Sequence, residues 1–182
     1  MPRPRERILD TAMILFHQQG YNNTGINQII EDAAVSKASF YQHFRSKDDL
    51  CIEFLDKRYA YWVSELQNFI SDAETVEEKF LKSFDFLIHM NKKENFRGCS
   101  FLNILSEIPV EKTDLHHVIR QHKKTLRDAF NTDIKDDLIS DHIYLLFESC
   151  ILTSQLYRSN ELIEKSKTIV KDILHDSLRK NE

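Results

Sequence analysis

The sequence predicts an all-α chain of about nine helices, and three observations carry that prediction. Glycine and proline number only three each and cluster at Pro2, Pro4, Gly20, Gly25, Gly98 and Pro109, so residues 26–97 and 110–182 hold neither. An all-β domain needs turn residues far more often than that. Apolar residues recur instead at helical spacing in one segment after another. Finally, 41% hydrophobic and 30% charged residues fit a chain that buries a core and does not remain disordered.

The elements follow in order. Residues 5–19 put Ile8, Ala12, Leu15 and Phe16 on one face, and Gly20 supplies a left-handed stop. Thr24 is the expected N-cap of a short helix near 25–33, with Ile26, Ile29, Ile30 and Ala33 facing inward. A break at Ala34-Val35-Ser36 leads to another short helix at about 37–43, capped by Ser36. A long helix starts after Ser46 and runs to about Phe69, with Asp48 and Asp49 in its first turn matching the helix dipole. Further helices are expected near 75–91, 99–108, 111–130, 136–158 and 160–179, which makes three small and six larger.

Charge is uneven. Residues 1–47 carry six Lys/Arg against four acids, a balance of +2, and the remainder has a balance of −6, giving the net −4. A basic head on an acidic body fits phosphate contact by the head alone. The longest apolar run, "IYLLFESCIL" at 143–152, falls short of the roughly 20 residues of a membrane span. The N-terminus "MPRPRERILD" lacks the apolar core of a secretion signal, and Cys51, Cys99 and Cys150 are widely spaced. These features predict a cytoplasmic protein with reduced thiols.

Two short helices joined by a tight break and preceded by a covering helix are the plan of a helix-turn-helix, whose second short helix enters the DNA major groove. Phe40 and Phe44 form its inward face, with Val35 at the turn, and Lys37, Ser39, Tyr41, Gln42 and His43 its outward face. Lys37 is placed to donate to a guanine edge. Lys47, opening the next helix, can grip a phosphate together with backbone N–H groups.

The stretch "GYNNTGINQIIEDAAVSKASFYQHFRSKDDL" resembles the N-terminal signature of the TetR/AcrR family of transcriptional regulators. The resemblance rests on Gly20-Tyr21, Thr24, Ile29, Ala33, Val35-Ser36, Tyr41, His43-Phe44, Lys47 and Leu50, and covers roughly residues 5–55. Ala34 and Ala38 depart from it, standing where glycine is usual. The resemblance implies a helix-turn-helix DNA-binding domain at 1–47 and a helical effector-binding and dimerisation domain at 48–182. It implies DNA contacts from Thr24, Asn27, Lys37, Ala38, Ser39, Tyr41, Gln42, His43 and Lys47. It also implies a homodimer on a near-palindromic operator, most often as a repressor, released by a small effector.

In the body, apolar residues cover over half the circumference of 136–158, while Ile163, Ile169, Val170, Ile173, Leu174 and Leu178 stripe the last helix. Such a pair builds either half of an intermolecular four-helix bundle or an intramolecular core. "RGCSFLNILSEIP" at 97–109 resembles a Gly-Cys-x-x-x-Asn motif in one subset of the family. Cys99, expected in a first helical turn beside Arg97, is either an oxidant or electrophile sensor or a small core residue. Trp62, Phe84, Phe101 and Tyr144, with Asn103 as a polar handle, are candidates for a pocket taking an apolar or aromatic effector, and equally for core. His116, His117 and His122 are spaced by one, five and six residues, which does not bring them onto one helical face, so no metal site and no cofactor is expected. The chain shows no glycine-rich phosphate loop, zinc spacing or nucleophile elbow. A cysteine-dependent enzyme and a DNA-free helical interaction protein are the alternatives to a regulator.

Overall fold

A computed structural model of the chain describes residues 2–134 and 136–179. Among these residues there are nine helices and no strand: α1 (Pro4–Gln19), α2 (Ile26–Asp32), α3 (Lys37–His43), α4 (Lys47–Phe69), α5 (Val76–Lys93), α6 (Ser100–Glu107), α7 (Thr113–Asp133), α8 (Asp137–Tyr157) and α9 (Glu161–Arg179). The chain forms two compact units, Met1–Tyr61 with Ser100–His122, and Trp62–Cys99 with Lys123–Glu182. This division differs from the expected cut at 47/48: α4 as far as Tyr61 belongs with the first three helices, and residues 100–122 join them through Ser100–His17, Glu107–Asn22, Lys112–Asp48 and His122–Asp56.

In the first unit α1 packs on α2 and α3, which pack on each other. Ile8, Leu9, Ala12, Phe16, Ile29, Phe40, Leu50 and Phe54 fill its core. Phe16 stacks on Tyr21 with ring centroids 6.0 Å apart and meets the edge of Phe54 at 5.5 Å. Gly20 ends α1 with φ 85° and ψ 179°, outside the left-handed helical region expected of it but still in territory open to glycine. A Cβ there would collide with the Glu107 carboxylate, which instead accepts from the Asn22 N–H at 2.6 Å. The Glu107 carbonyl accepts from the Asn22 side-chain amide at 2.8 Å, completing the grip.

Thr24 does not cap α2. Its hydroxyl turns back to donate to the Gly20 carbonyl at 2.6 Å, and Gly25 occupies the N-cap position without a side-chain bond. Ala34 has φ 51°, and the bonds Val35 N–H to Ile30 C=O (3.1 Å) and Ala34 N–H to Glu31 C=O (3.0 Å) make it the left-handed residue of a Schellman stop. An alanine there costs about 1 kcal/mol against glycine. The turn is made with the expected geometry at that cost.

In the second unit α8 packs on α9, and α5 packs on both. Phe80, Phe84, Leu87, Phe130, Ile143, Phe147, Ile163, Val170 and Leu174 form its core. Phe147 is the hub, with the rings of Phe84 at 5.4 Å, Phe130 at 5.1 Å and Trp62 at 6.1 Å around it. Thr75 and Asp136 cap α5 and α8 through their side-chain oxygens. Of the stripe expected on α9, Ile163, Val170 and Leu174 face this core and Ile169 is exposed. The side chain of Leu178 lies outside the described residues.

Candidate nucleic-acid interface

α3 is a helix of only two turns, so its orientation depends on caps and anchors. The Ser36 hydroxyl accepts from the Ser39 N–H at 3.1 Å and closes its N-terminus. Phe40 is fully buried and Phe44 nearly so, which pins one face to α1. Arg5 lies over the Phe44 ring, 5.3 Å from its centroid, and donates to Glu53 at 2.6 Å, so this N-terminal cation is spent holding the back of the helix. The opposite face presents Lys37, Ala38, Tyr41, Gln42 and His43 to solvent, with Ser39 half-buried. Tyr41 is 45% exposed although its ring meets the edge of Phe40 at 5.2 Å. Asn27, in the first turn of α2, is exposed as well.

The first turn of α4 completes the surface. Ser46 caps it by accepting from the Asp49 N–H at 3.1 Å, and Lys47 stands half-buried at its start. Burial lowers the Lys47 pKa, opposed by the nearby Cys51, Asp48 and Glu107. Thr24 differs from the other expected contacts. It is fully buried, has no surface to offer DNA, and serves the turn after α1.

Residues 8–54, which include all of this surface, match the family described as bacterial regulatory proteins, tetR family. The head is thus similar to the DNA-binding domain of tetR-family regulators. Beyond this head, the chain is 24% identical over 96% of its length to the Staphylococcus aureus biofilm operon icaADBC HTH-type negative transcriptional regulator IcaR, of which it covers 96%. It is 28% identical over 64% of its length to an uncharacterized HTH-type transcriptional regulator of Lactococcus lactis subsp. lactis, and that match spans 61% of the relative. The crystal structure of a TetR-family transcriptional regulator from Streptomyces coelicolor superposes with a TM-score of 0.83 at 23% identity, over 97% of this chain and 91% of that one. The fold of that structure is thus shared by residues of both compact units.

The residues proposed to sense an effector behind this TetR-type head separate by unit. Trp62, Phe84, Cys99 and Tyr144 lie in the second, Phe101 and Asn103 in the first. Phe84 is wholly buried and belongs to the core around Phe147. Trp62 and Tyr144 are half-buried at the margin of that core, Tyr144 edge-on to Phe130 at 5.8 Å. Phe101 is buried with its ring 5.4 Å from His122, which also stacks on Tyr59 at 4.3 Å and pairs with Asp56 at 2.7 Å. That stack gives His122 a structural place. Asn103 is half-buried on α6.

Cys99 immediately precedes α6 and is not in its first turn, because Gly98 (φ 75°) makes the bend before the helix begins. Its neighbours were hidden from sequence reasoning. Lys123 and Glu148 form an ion pair at 2.7 Å, with both side chains only 17% exposed. Burial works against the Lys123 charge, yet Cys99 and the Glu148 carboxylate together push its pKa up. Burial and Glu148 likewise raise the Tyr144 phenol. Lys123 and Glu148 are 25 residues apart on different helices, a separation no local periodicity can report.

No helix among the described residues is long and apolar enough to cross a membrane.

Proposed function

We propose that the chain is a dimeric, sequence-specific repressor that reads operator DNA with α3 and leaves it when a small effector or a cysteine modification favours another arrangement. The carrying observation is the two-sidedness of α3: Phe40 and Phe44 buried, Lys37, Tyr41, Gln42 and His43 turned to solvent. A helix that only completed a bundle would have no use for that second face. Repression, and not activation, is favoured by the likeness to a negative regulator over nearly the whole chain. The work is done in the cytoplasm, where the DNA is.

The dimer would form through α8 and α9. Leu138, Leu145 and Leu152 follow a seven-residue spacing on α8 and are 80%, 64% and 58% exposed. Leu156 on α8 and Leu162 and Ile169 on α9 are exposed as well. A contiguous leucine stripe in water marks an association surface. Two α3 helices about 34 Å apart would read half-sites one DNA turn apart.

Selection of binding sequences from a random duplex library by the purified protein tests this reading. The expected result is an inverted repeat. Recovery of nothing above background would favour the DNA-free interaction protein.

For the effector, the half-buried Trp62 and Tyr144 at the core margin support an apolar or aromatic molecule. For the covalent route, Cys99 is half-buried whereas Cys51 and Cys150 are buried and have their thiol pKa values pushed up by burial. Iodoacetamide on the folded protein should label Cys99 at least tenfold faster than either of the others. Equal rates would remove Cys99 as a sensor.

A further inference from the structure

Tyr21, Lys47, Asp48 and Lys112 form a chain of contacts inside the first unit that reading DNA does not by itself require. The Lys47 ammonium lies 4.0 Å from the centroid of the Tyr21 ring. The Tyr21 hydroxyl donates to Asp48 Oδ1, and Lys112 Nζ donates to Asp48 Oδ2 at 2.5 Å. Both carboxylate oxygens are therefore engaged. Lys47, among the described residues, donates no hydrogen bond and rests on the aromatic face.

That arrangement resolves a conflict written into the sequence. Asp48 follows Lys47 directly, so a free Asp48 carboxylate would compete with DNA phosphate for the Lys47 ammonium and would repel the phosphate as well. Lys112 neutralises it through Oδ2. Burial alone would raise the Asp48 pKa, but the hydrogen bonds from Lys112 and Tyr21 hold it below the usual carboxylate range, so its charge is kept and matched. Lys112 stands just before α7, 64 residues from Asp48, and its own partner is the carboxylate.

We propose that Lys112 is a positioning residue for DNA binding: by occupying Asp48 it keeps Lys47 on the Tyr21 ring and available to phosphate. This rests on the reading of Lys47 as a phosphate contact, and two measurements separate the two claims. In the DNA-free protein, the Lys47 ε-methylene proton signals, assigned by their absence in Lys47→Ala, are expected upfield through the Tyr21 ring current. They should move toward the solvent-exposed lysine position in Lys112→Met and stay in place in Lys112→Arg. Signals unmoved in Lys112→Met overturn the positioning role whatever DNA does. In the second measurement, anisotropy with a duplex recovered by the wild-type protein should show Lys112→Met weakened roughly tenfold per half-site at about 0.1 M salt, the scale of one phosphate contact. The Lys112→Met, Asp48→Asn variant should bind as tightly as Asp48→Asn, since no carboxylate then remains to capture Lys47. If the double variant stays as weak as Lys112→Met, Lys112 touches DNA itself and the proposal is wrong. Lack of any recovered duplex overturns the DNA reading, and with it the role in DNA binding, while the proton shifts still decide whether Lys112 holds Lys47.

Discussion

A Leu145→Asp, Leu152→Asp double variant is expected to sediment as a monomer, keep its helical circular dichroism, and lose at least 100-fold in operator affinity. Both leucines are more than half exposed in the protomer, so the substitutions leave the core around Phe147 untouched. In a two-fold interface they count twice, because each patch meets its own copy. Burying a leucine contributes about 1.5–3 kcal/mol, so four lost leucines remove several kcal/mol, and four buried carboxylates add a larger penalty. The DNA effect comes from linkage. A dimer bound at one half-site presents its second head at an effective concentration near millimolar, and a monomer forfeits that gain of about 10²- to 10⁴-fold. A double variant that remains dimeric would assign the stripe to some other partner. A monomer binding the operator at full strength would remove the dimer from the mechanism.

The parts of this molecule that announce themselves in the sequence are those governed by neighbours three or four residues away. Helix spans fell where the apolar spacing and the gaps between glycines placed them, and Ser36 caps α3 as its side chain and position predict. Phe40 and Phe44 are buried at their i, i+4 spacing. The positive φ of Ala34 was signalled by a glycine-type turn carrying an alanine. Tertiary competition decided the rest. Thr24 has a capping side chain, but its hydroxyl donates to the Gly20 carbonyl at 2.6 Å and Gly25 stands at the N-cap of α2. Phe84 has the same composition cue as a pocket residue and is core, because only the meeting of α5 and α8 decides which side of a helix is filled. The grips Glu107–Asn22, Lys112–Asp48 and Lys123–Glu148 span 85, 64 and 25 residues, and charged pairs at such distances leave no periodic trace.

Replacing Lys37 and Tyr41 together by alanine should abolish selective operator binding, with an affinity loss of about 100-fold or more and no loss of fold. Neither side chain is buried: Lys37 is exposed at the start of α3, and Tyr41, though its ring meets the edge of Phe40, keeps nearly half its surface in water. A good base contact contributes about 1–3 kcal/mol, and a dimer uses each residue twice, so even modest contacts compound. The salt dependence tells which kind of contact has gone. If Lys37 reads a guanine edge, Lys37→Ala should relax the base preference at one position per half-site and leave the slope of log affinity against log salt nearly unchanged. If it grips phosphate, the loss should be uniform across sequences and the slope should shallow by about 0.9 per half-site. Tyr41 is neutral, so its removal should leave the slope alone in either case. An unaltered inverted repeat bound at wild-type affinity by the double variant would mean that α3 is not the reading helix, and the exposed Asn27 of α2 would become the next residue to change.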